Sequence, residues 1–193
     1  MKRVLLTGMS GTGKSTVIEE LAARGYKAID TDYDGYSHLV NVSDDELTGI
    51  GPGQDWVWRE DRIQELLDAE DAGVLFISGT SPNQGAFYPR FDHIVLLTAP
   101  GEVMVERLTK RTNNPHGKRP EEIERVLQLK DEIEPLLRRG ASHEIDTSAP
   151  LDRVVAEVLR LVGKAGRAQS VFDGNGVLAY PTTEKCSTVG KGS

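Results

Sequence analysis

The most specific chemistry in this 193-residue chain lies near its N-terminus, in Gly8-Met9-Ser10-Gly11-Thr12-Gly13-Lys14-Ser15, the pattern GxxxxGK[ST]. A glycine-rich turn between a buried strand and a helix aims successive backbone N–H groups at one point. The positive end of the helix dipole deepens the resulting anion site. Gly8, Ser10, Gly11, Thr12, Gly13 and Thr16 are therefore expected to wrap a chain of phosphates. Lys14 adds a movable positive charge for the terminal phosphates, and the Ser15 hydroxyl is placed to ligate Mg²⁺. Flanking residues agree: Val4-Leu5-Leu6 reads as the strand, and Val17, Ile18 and Leu21 form the apolar side of a helix that starts at Lys14.

Other groups complete a reaction centre. Asp30-Thr31-Asp32 follows a second short strand and reaches the same rim. One carboxylate can hold a metal's waters while the other orients or deprotonates an acceptor hydroxyl. Arg59, beside Trp56 and Trp58, can bind an acidic substrate group through two parallel hydrogen bonds. Ser78-Gly79-Thr80 ends the third strand, which puts Gly79 and Thr80 against the same substrate; Asn83, Gln84 and Arg90 are weaker candidates. Arg107, Arg111, Lys118 and Arg119 form a basic set near a polar segment. Phosphoryl transfer depends on positioning and on neutralising charge, so closure of Lys118 or Arg119 over the phosphates would serve it. Arg119 is the stronger catalytic candidate of the two. His38, His93, His116 and His143 lack metal-ligand spacing, and no serine or cysteine has a positioned base.

The elements that must hold these residues alternate. Strands are expected at Val4–Leu6, Tyr26–Ile29, Val74–Ile77, Ile94–Leu97 and Glu144–Asp146, with helices after each. Ser43 and Glu46 have capping-box spacing and predict a short helix; a stronger helix is expected from about 55 to 71. Ser81-Pro82 reads as another helix start, and Pro135 as a kink or division in a long helix from Pro120. This is the α/β pattern of a three-layer α/β/α sandwich with a mainly parallel sheet of about five strands. Ligands then belong at the carboxyl ends of the strands. One domain over residues 1–163 is expected, with an acceptor region at about 31–72, a mobile lid at about 112–120, and a loosely ordered tail over 164–193.

Composition narrows the partners. A net charge of −7 speaks against general attraction to nucleic acid or anionic membrane. The single cysteine, Cys186, forms no intramolecular disulfide, and no apolar run reaches transmembrane length, so a cytoplasmic setting is expected.

Together, GMSGTGKST, the DTD triplet, Trp58-Arg59, Arg111 and Arg119-Pro120 resemble the small P-loop kinases related to shikimate kinase, gluconate kinase and the nucleoside monophosphate kinases. The resemblance runs from about Met1 to Val162. It implies ATP and Mg²⁺ as cofactors, a small-molecule acceptor, and a monomer or homodimer. It also implies Arg111 against the adenine, Thr147-Ser148-Ala149-Pro150 bordering the base, Arg119 on the phosphates, Asp30 near Mg²⁺, Asp32 at the acceptor and Arg59 on its acidic group. The chain departs from shikimate kinases in two places. Ser78-Gly79-Thr80 replaces their glycine triplet, and Asp131-Glu132-Ile133-Glu134-Pro135 stands where they carry an acceptor-binding arginine. Both argue against shikimate itself as the acceptor. A nucleoside or nucleotide kinase, or a regulatory ATPase without a small acceptor, are the alternatives. Against the last, there is no Asn-Lys-x-Asp motif and no clear acidic residue closing Val74–Ile77.

Overall fold

A strand that is apolar at every position has no wet side, so Val74-Leu75-Phe76-Ile77 and Ile94-Val95-Leu96-Leu97 demand cover on both faces. The computed structural model, which describes residues 1–46, 48–112 and 118–163, supplies it. In chain order the elements are β1 (Lys2–Thr7), α1 (Lys14–Ala23), β2 (Lys27–Asp30), β3 (Ser37–Asn41), β4 (Gln54–Trp58), α2 (Glu60–Asp68), β5 (Val74–Ser78), a 3₁₀ helix (Gln84–Arg90), β6 (His93–Thr98), α3 (Gly101–Lys110), α4 (Pro120–Gly140), β7 (His143–Asp146) and α5 (Leu151–Val162).

Five strands form one parallel sheet in the order β2-β5-β1-β6-β7. The two-residue period of each strand sorts its side chains. Val4, Leu6, Phe76, Val95 and Leu97 pack with α1 and α5 on one face. Leu5, Leu75, Ile77 and Ile94 pack with Trp58 and α2 on the other, where Leu96 meets α3 and α4. This is the expected three-layer α/β/α sandwich. Each such buried side chain is worth roughly 1.5–3 kcal/mol against roughly 0–1 kcal/mol for an exposed ion pair, so the two apolar layers dominate the stability. Because β1 is central, the loop after it opens at the point where the strand order diverges, between β5 and β6.

Several expectations need correction. No helix forms at Ser43 among the described residues. The Ser43 N–H donates to Glu46 Oε1 (3.1 Å) and the Glu46 N–H to Ser43 O (3.1 Å), which closes a turn in the loop between β3 and β4. Residues 55–58, assigned above to a helix, belong with Gln54 to a strand paired antiparallel to β3, with Leu39 opposite Trp56 and Ser37 opposite Trp58. Tryptophans two residues apart carry the period of a strand, and that signal outweighs helical spacing here. α2 therefore begins only at Glu60. Ser81 starts no α-helix. Its hydroxyl accepts from the Trp58 N–H (3.0 Å) and donates to Asn83 Oδ1 (2.7 Å), and a 3₁₀ helix follows. α4 runs unbroken through Pro135, because Pro135 and Asp131, whose carbonyl loses its partner there, both lie on the exposed side. The expected lid falls partly on 113–117, and the expected tail on 164–193; both stretches lie outside the described residues.

Candidate active site

The loop after β1 is shaped by its own atoms. Gly8 has φ +145°, and a Cβ there would sit 2.2 Å from the Leu97 carbonyl oxygen, so only glycine fits against β6. The Thr80 hydroxyl donates to Gly8 O (2.7 Å) and accepts from the Gly8 N–H (3.2 Å). Thr12 Oγ1 donates to Met9 O (2.8 Å), and Gly13 caps α1 in the left-handed conformation. The first N–H groups of α1 have no partner four residues back, and they point out of the turn at the site an anion would take. Lys14 Nζ turns inward and donates to Gly8 O (2.7 Å) and Met9 O (3.2 Å). Burial pushes the Lys14 ammonium below its ordinary value; Asp32 and Asp30 pull it back up, and Arg111 lowers it further.

Asp30 and Asp32 arrive from the end of β2. Ser15 Oγ donates to Asp30 Oδ2 (2.8 Å), and the Asp32 N–H to Asp30 Oδ1 (3.2 Å). A hydroxyl and a carboxylate beside a phosphate site form the all-oxygen donor set that Mg²⁺ prefers, so Ser15 and Asp30 fit that ion. Among the described residues no three or more His, Cys, Asp or Glu make a metal site by themselves. A cation here would complete its shell with phosphate oxygens and water. Asp32 is reached by solvent in an open cavity yet walled by protein. That partial desolvation raises its carboxyl pKa, Lys14 opposes the rise, and Asp30 adds to it.

Gly8, Lys14, Ser15 and Asp32 line one cavity of about 1430 Å³ that also contains Asp55 and Trp56 of β4, Thr80 and Arg111; Asp30 reaches it only through Ser15. Ser10, Gly11, Gly13, Ser15 and Thr16 line it as expected, as do Thr147 and Ser148. Thr12 is fully buried beneath the loop. Arg107 Nη1 and Nη2 donate to Thr147 Oγ1 (2.9 Å) and Thr147 O (2.6 Å), and Thr147 Oγ1 lies 2.8 Å from Thr12 O, within donating reach. The loop between β7 and α5 is thereby tied to the glycine loop.

Other residues stand elsewhere than expected. Arg111 lines the cavity, where its charge acts on Lys14 and Asp32; this sets it near the phosphates and not solely at a base. Burial lowers its pKa, while Tyr33 and Asp32 raise it. Arg119 is exposed at the start of α4, outside the cavity lining, with Nη2 donating to Glu122 Oε1 (2.8 Å). Lys118 Nζ donates to Leu108 O (3.0 Å), Thr109 O (2.7 Å) and Arg111 O, which closes the C-terminus of α3. Arg59 is exposed as the N-cap of α2 and does not line the cavity. Pro150 likewise caps α5 on the outside. Gly79 is buried because a Cβ would fall 2.1 Å from Thr31 Oγ1 and 3.2 Å from the Trp58 ring; its task is close packing. Thr80 lines the cavity, but its hydroxyl is taken up by Gly8.

Two contributors carried little sequence signal. Gln84 is buried and ties Thr7 Oγ1 (3.2 Å) and the Ser81 N–H (3.2 Å) to its carbonyl oxygen, while its amide donates to the Tyr88 hydroxyl (2.8 Å). A lone amide in a polar loop announces none of this. Asp55 was hidden by the helical reading of its segment; alternation around Trp56 and Trp58 is the signal that would have exposed it.

Comparison with known proteins agrees with this geometry. The model of the family AAA_18, described as an AAA domain, matches residues 4–129. Shikimate kinase 2 from Yersinia enterocolitica is 26% identical over 167 residues, covering 82% of this chain and 94% of that protein. Among solved structures, shikimate kinase from Acinetobacter baumannii in complex with shikimate superposes with a TM-score of 0.56 at 19% identity, covering 84% of this chain and 93% of the other. A gluconokinase from Sinorhizobium meliloti 1021 gives 0.51 at 18% identity, covering 84% and 92%. With a glycine loop of this shape on a parallel sheet in this order, the chain belongs to that AAA domain family of P-loop proteins and has the fold of the small P-loop kinases.

Proposed function

We propose that the chain is an ATP- and Mg²⁺-dependent kinase that moves the γ-phosphoryl group to a hydroxyl or phosphate oxygen of a small metabolite. The observation that carries this reading is that Lys14 and Asp32 act on one another across a single cavity large enough for two ligands. The 26% identity to a shikimate kinase over most of both chains supports it. Bound Mg²⁺ would supply positive charge to the β- and γ-phosphates. The loop amides and Lys14 hold the phosphate chain. Ser15 and Asp30 would hold the ion. Asp32 faces the acceptor, and its raised pKa suits a group that takes a proton. In the transfer, a bond forms between the acceptor oxygen and the γ-phosphorus as the bond to the β-phosphate oxygen breaks. The acceptor proton passes to the Asp32 carboxylate, and ADP leaves. Arg111, already in the cavity, is the better placed of the two candidate arginines to offset charge on the moving group. Arg119 would have to leave Glu122 first.

ADP production measured with Mg·ATP and a panel of hydroxylated metabolites tests the reading. Stimulation by at least one acceptor, with phosphate recovered on that acceptor, is expected. Turnover that is the same with and without every acceptor would instead describe an ATPase.

A further inference from the structure

From Ala28 to Trp58 the chain has no lysine or arginine, while it has seven acidic residues: Asp30, Asp32, Asp34, Asp44, Asp45, Glu46 and Asp55. At its start this stretch meets the glycine loop, where Asp30 accepts from Ser15 and Asp32 acts on Lys14. Asp32, Glu46 and Asp55 line the cavity, as do Tyr33 and Trp56. The basic residues of the lining, Lys14, Arg107, Lys110 and Arg111, all come from the start of α1 or from α3 and its cap. Lys110 is paired with Glu106, and Arg107 with Thr147. The first cation after the acidic stretch, Arg59, is exposed and is not among the lining residues.

The compartment is a ligand site on grounds independent of these carboxylates, since it opens directly onto the glycine loop and Lys14. The carboxylates decide what charge it takes. The carboxylate of Asp55 is half-buried, accepts from the Trp56 N–H (2.8 Å), and feels Glu46 as a like charge. Among the described residues, neither Asp55 nor Glu46 forms an ion pair with a lysine, arginine or histidine. Two like charges acting on each other in the cavity lining repel a carboxylate or phosphate and attract an ammonium group. α4 contributes apolar lining through Leu129 and Ile133.

Resting on the kinase reading above, we infer that the acceptor is a hydroxyl compound bearing at least one ammonium group, an amino alcohol or amino sugar, and not an acid. Its ammonium sits against Asp55 and Glu46, and its hydroxyl is presented to Asp32. Transfer follows the same balance of bonds as above: the hydroxyl oxygen gains the phosphoryl group, its proton goes to Asp32, and the ammonium is unchanged.

The test is a matched panel on common skeletons, each with an ammonium, a neutral and a carboxylate member: D-glucosamine, D-glucose and D-gluconate; 2-deoxystreptamine, myo-inositol and quinate. With the full chain and saturating Mg·ATP, kcat/KM is expected to be highest for an ammonium member. In the Glu46→Gln/Asp55→Asn double variant, KM for that member should rise about 10–100-fold, the loss of hydrogen bonds to a charged group, while Kd for Mg·ATP stays within about twofold. Equal or better turnover of a carboxylate or neutral member overturns the inference and leaves the kinase reading standing. So does an unchanged KM in the double variant. Silence from the whole panel, with Mg·ATP binding intact by calorimetry, overturns both.

Discussion

At one end of the cavity, Gly8, Gly11 and Thr12 are held by Thr80 from the end of β5, Arg107 from α3 and Thr147 from the loop before α5. At the other, the β3–β4 hairpin lies outside the five-stranded sheet and enters the core through Trp58. The first end is braced from three directions before any ligand arrives, as an anion site built of backbone must be, because amides work only at fixed angles. The second is a separate two-stranded piece whose side chains other than Trp58 can change without disturbing the sheet. The difference separates a constant task, holding phosphates, from a variable one, choosing an acceptor.

The largest expected effect breaks the first end. Lys14→Ala should lower transfer by about 10³-fold or more in a coupled ADP assay, since charge on the moving phosphoryl group goes unopposed. Thermal unfolding should stay within about 1 kcal/mol of the parent, because the substitution also removes a partly desolvated charge. Asp32→Asn should cost about 10²–10⁴-fold in kcat with little change in Mg·ATP affinity. In the parent protein the proton-accepting form of Asp32 is the carboxylate, and its pKa lies above the ordinary 3.8. Turnover should therefore be full near neutrality and fall as pH drops, with a midpoint above 3.8. A flat acid limb, measured at saturating substrate, would remove Asp32 from the proton path.

Arg111→Ala and Arg119→Ala separate the two arginines: about 10²-fold loss of kcat for the first and under about fivefold for the second. The reverse order would restore Arg119 to the role its position in the sequence suggested. Thr80→Val removes both hydrogen bonds to Gly8 and should cost about 1–3 kcal/mol in denaturant unfolding, with weaker Mg·ATP binding. At the hairpin end, Trp56→Ala should raise the acceptor KM by roughly tenfold through lost burial while leaving Kd for Mg·ATP unchanged. A matching loss of ATP affinity would show that the two ends are not independent.

The same contrast governs what could be read from residues alone. The glycine loop, Ser15 with Asp30, and the five strands were legible because each depends on local spacing: a fixed motif, a strand end, or an apolar run of Val, Ile and Leu. The hairpin was not. Gln54–Trp58 is a short segment whose alternation is blurred by Val57 between the two tryptophans, and a neighbouring helix with Ile63, Leu66 and Leu67 extends its period back over it. Arg119 and Arg59 were misplaced for another reason. Sequence order shows which arginines lie near a site in the chain, whereas the direction of a side chain is set by partners such as Glu122 that spacing does not reveal. The work of Thr80 and Gln84 depends on contacts more than 70 residues apart, |i−j| of 72 and 77, and has no local signature.

Because Thr147 joins Thr12 to Arg107, the shape of the turn at the N-terminus is completed by residues near the other end of the described chain. A fragment stopping after α4 would retain every residue of the GxxxxGK[ST] signature and still lack the clasp that keeps it in form. The bracing of the glycine loop therefore extends to Thr147, much farther along the chain than the motif itself.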